Sequence, residues 1–160
     1  MIGILHNLRS AHNTASIFRT ADGAGAEKLY LCGTTPSPLD VFGRMRADFA
    51  KVALGAESSM PWEKCARTAD CIRRLKAAGY FICAAELAPG AVPYHEAAFF
   101  KKHAPKIALV MGHETEGIPK SILSRCDGIV SIPMRGKKES LNVAVAFGIL
   151  AFEIARYRIP

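Results

Sequence analysis

The sequence predicts an α/β fold with a mostly parallel sheet and helices on both faces, on three observations. Several short runs are apolar almost throughout rather than alternating, as strands covered on both faces are. Segments of helical period fall between those runs, and Gly or Pro marks many of the joins. The chain has 160 residues, the size of one domain able to bury its own core, so residues 1–160 are expected to form a single domain.

In order, residues 2–5, 28–32, 80–84, 106–111 and 128–132 read as buried strands. A first helix is expected from Asn13 or Thr14, with Ile17, Phe18, Ala21 and Ala24 inward and Gly25 as its stop. A second covers 63–78, with Ala69, Ile72 and Leu75 inward and Arg67, Arg73, Arg74 and Lys76 outward, ending at Gly79. A short helix follows Pro119. Residues 34–62 read as a long Pro- and Gly-containing loop carrying Arg44, Arg46 and Lys51; loops of that length are usually functional or mobile.

The last helix, 140 to about 157, is different. Leu141, Val145, Phe152 and Ala155 form one apolar face, and Val143, Phe147, Leu150 and Ile154 form another. Between Leu141 and Ala155 only Glu153 is charged. A helix apolar nearly all round needs cover nearly all round. The sheet can cover one face and a second subunit the other, so a homodimer is expected.

Composition narrows the function classes. Half the residues are hydrophobic and 22% charged, which is globular rather than disordered. Lys and Arg outnumber Asp and Glu by 21 to 14, a formal charge of +7 that favours a polyanionic partner. The five cysteines are odd in number and form no C-x-x-C pair, which argues against a disulfide framework and a structural zinc site and fits a reducing cytoplasm. The N-terminus lacks the form of a signal peptide, and no apolar run is long enough to span a bilayer.

Three segments carry candidate chemistry. In the first, residues 13–25, Arg19 lies on the polar side of a helix whose other side is core, and an Arg19–Asp22 surface pair is the plain alternative. Its Gly23-Ala24-Gly25 ends a helix rather than opening one, so no dinucleotide loop is read. In the second, 109–119, a buried strand runs into Gly112, His113 and Glu114, and Pro119 starts a helix. Ligands of α/β sheets sit beyond strand carboxyl ends, and Gly112 permits close approach to the backbone. His113-Glu114 lacks the second histidine of a zinc motif. In the third, 129–146, a strand ends near Pro133, a basic loop follows, and Ser140 is the expected N-cap of the last helix. Asn142 stands out as an amide in an apolar stretch that must find partners if buried.

Taken together, these segments resemble the motifs of the SpoU branch of the SPOUT methyltransferase superfamily, in order and spacing over almost the whole chain. The third segment, Ile132-Pro133-Met134 through Ser140-Leu141-Asn142-Val143, is the most specific, and Val110-Met111-Gly112-His113-Glu114 supports it. The resemblance implies a C-terminal deep trefoil knot, an RNA ribose 2′-O-methyltransferase activity and S-adenosylmethionine as methyl donor, without metal. It implies a cofactor pocket at Gly112, Ile132, Met134 and Leu141 with Ala85 near its closing loop. It assigns catalytic positions to Arg19, Asn13, Glu114, Ser140 and Asn142, and an active site at a homodimer interface. Ala15 and Ala144 stand where many members have Gly and Ser. Substrate tRNA or rRNA is expected to be held by Arg44, Arg46, Arg135, Lys137 and Lys138. With Asn13 only a dozen residues from the start, no N-terminal RNA-binding extension is expected. An always-protonated guanidinium suits Arg19 as a clamp on phosphate and oxyanion rather than as a base, leaving Glu114, His113 or solvent to take the proton. Two rivals remain: a related enzyme methylating a base nitrogen, and a catalytically silent RNA-binding dimer.

Overall fold

A computed structural model describes residues 1–158. Its centre is a seven-stranded sheet in which every named strand pair is parallel. The strands are β1 (Ile2–His6), β2 (Lys28–Cys32), β3 (Trp62–Cys65), β4 (Phe81–Ala85), β5 (Val92–Pro93), β6 (Ile107–Met111) and β7 (Gly128–Ser131). Their spatial order is β3-β2-β1-β6-β4-β7-β5, which puts the wholly buried β1 and β6 in the middle.

Strand side chains alternate between faces, and so does the core. Leu5 and Leu109 point into one cluster with Phe18, Phe49, Phe100 and Phe147. Ile4 and Val110 point into the other with Ile72, Leu75 and Ile122. The first cluster is covered by α1 (Ala11–Gly23), α2 (Ala47–Ala53), α3 (Ala56–Ser59), α5 (Ala98–His103) and α7 (Val143–Arg156), and the second by α4 (Thr68–Ala77) and α6 (Lys120–Leu123). The expected two-sided cover is thus present. Gly3 makes room for α7: a Cβ there would lie 2.5 Å from Leu29 and 3.4 Å from the Phe147 ring. Burying a ring such as Phe147 contributes about 2–3 kcal/mol.

The structure corrects several expected boundaries. Residues 34–62 are not one loop, because Phe49, Ala53, Ala56 and Met60 are buried through α2 and α3. Phe49 meets Phe18 of α1 edge-on, with centroids 5.2 Å apart. The predicted 63–78 helix divides: Trp62–Cys65 pairs with β2 as an edge strand, and helix begins only at Thr68. Asp70 in the first turn of α4 and Arg74 and Lys76 in its last complement the helix dipole. The first helix starts earlier than expected, at Ala11, because the Ser10 side chain caps the Asn13 N–H. Asn142, not Ser140, is the N-cap of α7; its Oδ1 accepts from the Ala144 N–H at 2.8 Å. No helix among the described residues is long and apolar enough to cross a membrane.

Candidate active site

The strands β4, β6 and β7 deliver their carboxyl ends to one side of the sheet, and a cleft of about 270 Å³ opens there. All five residues expected around the cofactor line it: Ala85, Gly112, Ile132, Met134 and Leu141. The buried Met111, Val130 and Leu150 form the apolar floor. Charge on the walls runs against that of the chain. Glu86, Glu114, Glu116 and Glu139 line the cleft with no Lys or Arg among the lining residues, in a chain of net charge +7.

The turn after β6 is fastened by its own groups. The His113 Nδ1 accepts from the backbone N–H of Thr115 at 3.1 Å and of Glu116 at 3.2 Å. A neutral His113 ring therefore carries its proton on Nε2. Gly117 closes the turn with φ +67, and His113 and Gly117 exchange backbone hydrogen bonds. Gly112 serves this turn more than a ligand: a Cβ there would meet the Gly117 backbone and Ile118 at 2.6 Å. Glu86, which sequence reasoning missed, accepts from the Ile118 N–H at 2.7 Å and braces the turn from β4. Its position one residue past a strand end was the available signal.

Glu114 begins a hydrogen-bonded chain that joins all three sequence segments. Its Oε2 accepts from the Arg9 N–H at 2.9 Å, and its Oε1 accepts from the Ser10 N–H and the Asn13 Nδ2, each at 3.0 Å. Asn13 Oδ1 in turn accepts from Asn142 Nδ2 at 3.0 Å. Partial burial pushes the Glu114 carboxyl up, but these N–H donors outweigh it and hold it below its ordinary value. Asn142 is thus exposed, with its amide oxygen and one amide N–H already hydrogen-bonded, rather than a buried amide in search of partners. After these bonds Asn13 and Asn142 each retain one free amide N–H.

Arg19 is exposed on α1 and has no acidic partner among the described residues. The alternative pair with Asp22 is not formed, and Asp22 accepts from the Ser59 hydroxyl at 3.1 Å. Ser140 lines the cleft without capping α7. The five basic residues divide. Arg44 pairs with Asp40 at 3.0 Å and Arg46 with Asp48 at 2.8 Å. Arg135, Lys137 and Lys138 are exposed beside the cleft and have no such partner among the described residues.

A parallel α/β sheet with an apolar-floored, acid-walled cleft at its carboxyl edge is a ligand-binding α/β domain in form. The comparisons narrow it: the chain belongs to the SpoU rRNA Methylase family, which it matches over residues 1–152. The 23S rRNA (guanosine-2′-O-)-methyltransferase RlmB of Escherichia coli K12 is 34% identical over 155 residues, 97% of this chain and 59% of that protein. The AdoMet-bound rRNA methyltransferase from Sinorhizobium meliloti superposes with a TM-score of 0.87 at 31% identity, covering 99% of this chain and 57% of that one. The A. aeolicus TrmH/SpoU tRNA modifying enzyme gives 0.82 at 28% identity, covering 98% and 74%. The chain therefore spans somewhat over half the length of the curated relatives it matches.

Proposed function

We propose that the chain transfers a methyl group from S-adenosylmethionine to a ribose 2′-hydroxyl of rRNA or tRNA, as a homodimer in the cytoplasm. The observation that carries this reading is the junction of the acidic cleft with the Glu114–Asn13–Asn142 chain, which joins a cofactor-sized pocket to polar groups able to orient a hydroxyl.

The lining fits the cofactor. Ile132, Met134 and Leu141 offer apolar surface for an adenine ring, and the Glu-rich walls complement a molecule whose sulfonium and ammonium exceed its single carboxylate. When bound, S-adenosylmethionine would supply the electrophilic methyl group that the ribose oxygen takes up. The rest of the work is positioning. The free N–H groups of Asn13 and Asn142 donate to ribose or phosphate oxygens, with Glu114 and the α7 N-terminus fixing both amides. Arg19 clamps the neighbouring phosphate and offsets charge as the hydroxyl loses its proton. Glu114 already accepts three N–H groups and His113 Nδ1 two, so the proton goes to solvent. Arg135, Lys137 and Lys138 neutralise RNA phosphates at the cleft mouth.

Val145 and Phe152 of α7, and Leu141 just ahead of it, are 52%, 55% and 38% exposed, an apolar surface that supports a second copy as its cover. The chain leaves β7, next to the edge strand β5, passes along the cleft, and returns through α7 to pack on α1 and β6, a course that supports the expected knot. The test supplies radiolabelled S-adenosylmethionine with rRNA or tRNA and digests the product to nucleosides. Label is expected in a 2′-O-methylnucleoside, with Asn142→Ala slower by about a hundredfold. Label on a base, or none with either RNA, overturns the proposal.

A further inference from the structure

Three thiols far apart in sequence meet on the side of the sheet opposite α7. Parallel register sets Cys32, at the end of β2, directly beside Cys65, at the end of β3. The short return into α4 then brings Cys71 over both, and the three Sγ atoms lie within 4.8 Å of one another. Cys32 and Cys71 are buried and Cys65 is half-buried, so the cluster is covered but reachable through Cys65.

We propose that Cys32, Cys65 and Cys71 bind a soft closed-shell cation, Zn2+ or Cu+, through three thiolates. Zn–S bonds of about 2.3 Å place tetrahedral sulfurs roughly 3.8 Å apart, so the thiols need draw in by no more than about 1 Å. Binding converts three S–H groups to three metal–sulfur bonds and releases three protons to solvent. With Zn2+ the site carries one net negative charge, and the nearby Lys64 ammonium, which donates to the Thr35 carbonyl, offsets it. For Zn2+ the fourth position falls to water or a small thiol entering beside Cys65; Cu+ is satisfied by three sulfurs. Buried Thr68 and His6 back the site, with the Thr68 hydroxyl 2.6 Å from His6 Nδ1. An ion here ties the edge strand β3 and the start of α4 to the sheet. The absence of a C-x-x-C pair in the sequence conceals the cluster, because the fold rather than linear spacing assembles it. Nothing in this assignment depends on the methyl-transfer reading.

The test titrates the reduced, chelator-treated full chain with Co2+ under anaerobic conditions. One equivalent per chain is expected to raise intense thiolate-to-cobalt charge-transfer absorption that Zn2+ displaces. Elemental analysis of protein from zinc- and copper-supplemented cells separates the two ions. Cys65→Ser is expected to weaken Co2+ binding at least about tenfold, while Cys126→Ser, outside the cluster, leaves it unchanged. Alkylation should find the half-buried Cys65 protected in the loaded protein and reactive once the metal is removed. Absence of the charge-transfer band in the unmodified chain overturns the proposal whatever the variants do. An equal loss in Cys65→Ser and Cys126→Ser does so as well.

Discussion

Replacing Glu114 by Gln separates a positioning role from a proton-accepting one. Gln keeps one oxygen, which can still accept from Ser10 and Asn13, but puts an amide N–H2 against the Arg9 N–H. One charge-assisted bond is lost, and the other two lose their ionic character. Such bonds contribute about 1.5–3 kcal/mol each, and exposure places the net cost at the lower end, about 1.5–2 kcal/mol. At 2–4 °C per kcal/mol for a chain of this length, Tm should fall by roughly 3–8 °C at pH 7. The pH dependence fixes the cause. A carboxyl whose folded pKa is lowered stabilises fully above its unfolded value of 4.5, and that stability is lost as pH falls through the lower folded value. Thermal unfolding followed by circular dichroism should therefore show wild type and E114Q converging below pH 4.5. Methyl transfer should slow by about tenfold to a hundredfold, mostly in kcat, from misplacement of Asn13. An unchanged Tm, with kcat down more than about a thousandfold and its carboxylate-range pH inflection gone, would make Glu114 the proton acceptor and refute the reasoning.

At saturating RNA, Arg19→Ala should lower kcat by about a hundredfold or more, and Arg19→Lys should recover little of it, because an ammonium cannot grip phosphate and oxyanion together; full recovery with Lys in steady-state assays counts against the clamp. Phe152→Asp puts a charge in the exposed apolar face of α7 and should give monomers by sedimentation while leaving the buried Phe147 side intact; an unchanged dimer sends the interface elsewhere. In RNA-binding titrations over a salt series, each of Arg135→Ala, Lys137→Ala and Lys138→Ala should lower the slope of log K against log salt by about one. Arg44→Ala, already ion-paired in the free protein, should change it less.

The sheet was legible because buried parallel strands leave a signal of their own: β2 falls on its expected residues, and β1, β4, β6 and β7 within one of theirs. Trp62–Cys65 was hidden for the complementary reason. An edge strand carries Glu63 and Lys64 and does not look buried, so the helical period beyond it was extended backwards. The Pro and Gly of 34–62 likewise masked Phe49, Ala53 and Ala56 at helical spacing. At the site, the cofactor-pocket residues were carried by motif, and the structure places all five around one cleft. The roles of Glu114 and Asn142 were not legible, since both depend on partners about a hundred residues or more away in the chain. Glu86 and the acidic character of the cleft emerge only when the loops after β4, β6 and β7 are brought together.

Leu141 is at once a wall of the cleft and part of the exposed apolar face, 38% accessible in the isolated chain. In the proposed dimer one side chain thereby answers to two equilibria. A subunit that covers Leu141 settles the loop against the cofactor, and a cofactor that orders the loop presents a readier surface to the subunit. Such coupling is reciprocal by thermodynamic necessity. Apparent affinity for S-adenosylmethionine should then rise with protein concentration, and dilution alone should loosen the cofactor before any residue of the pocket is altered.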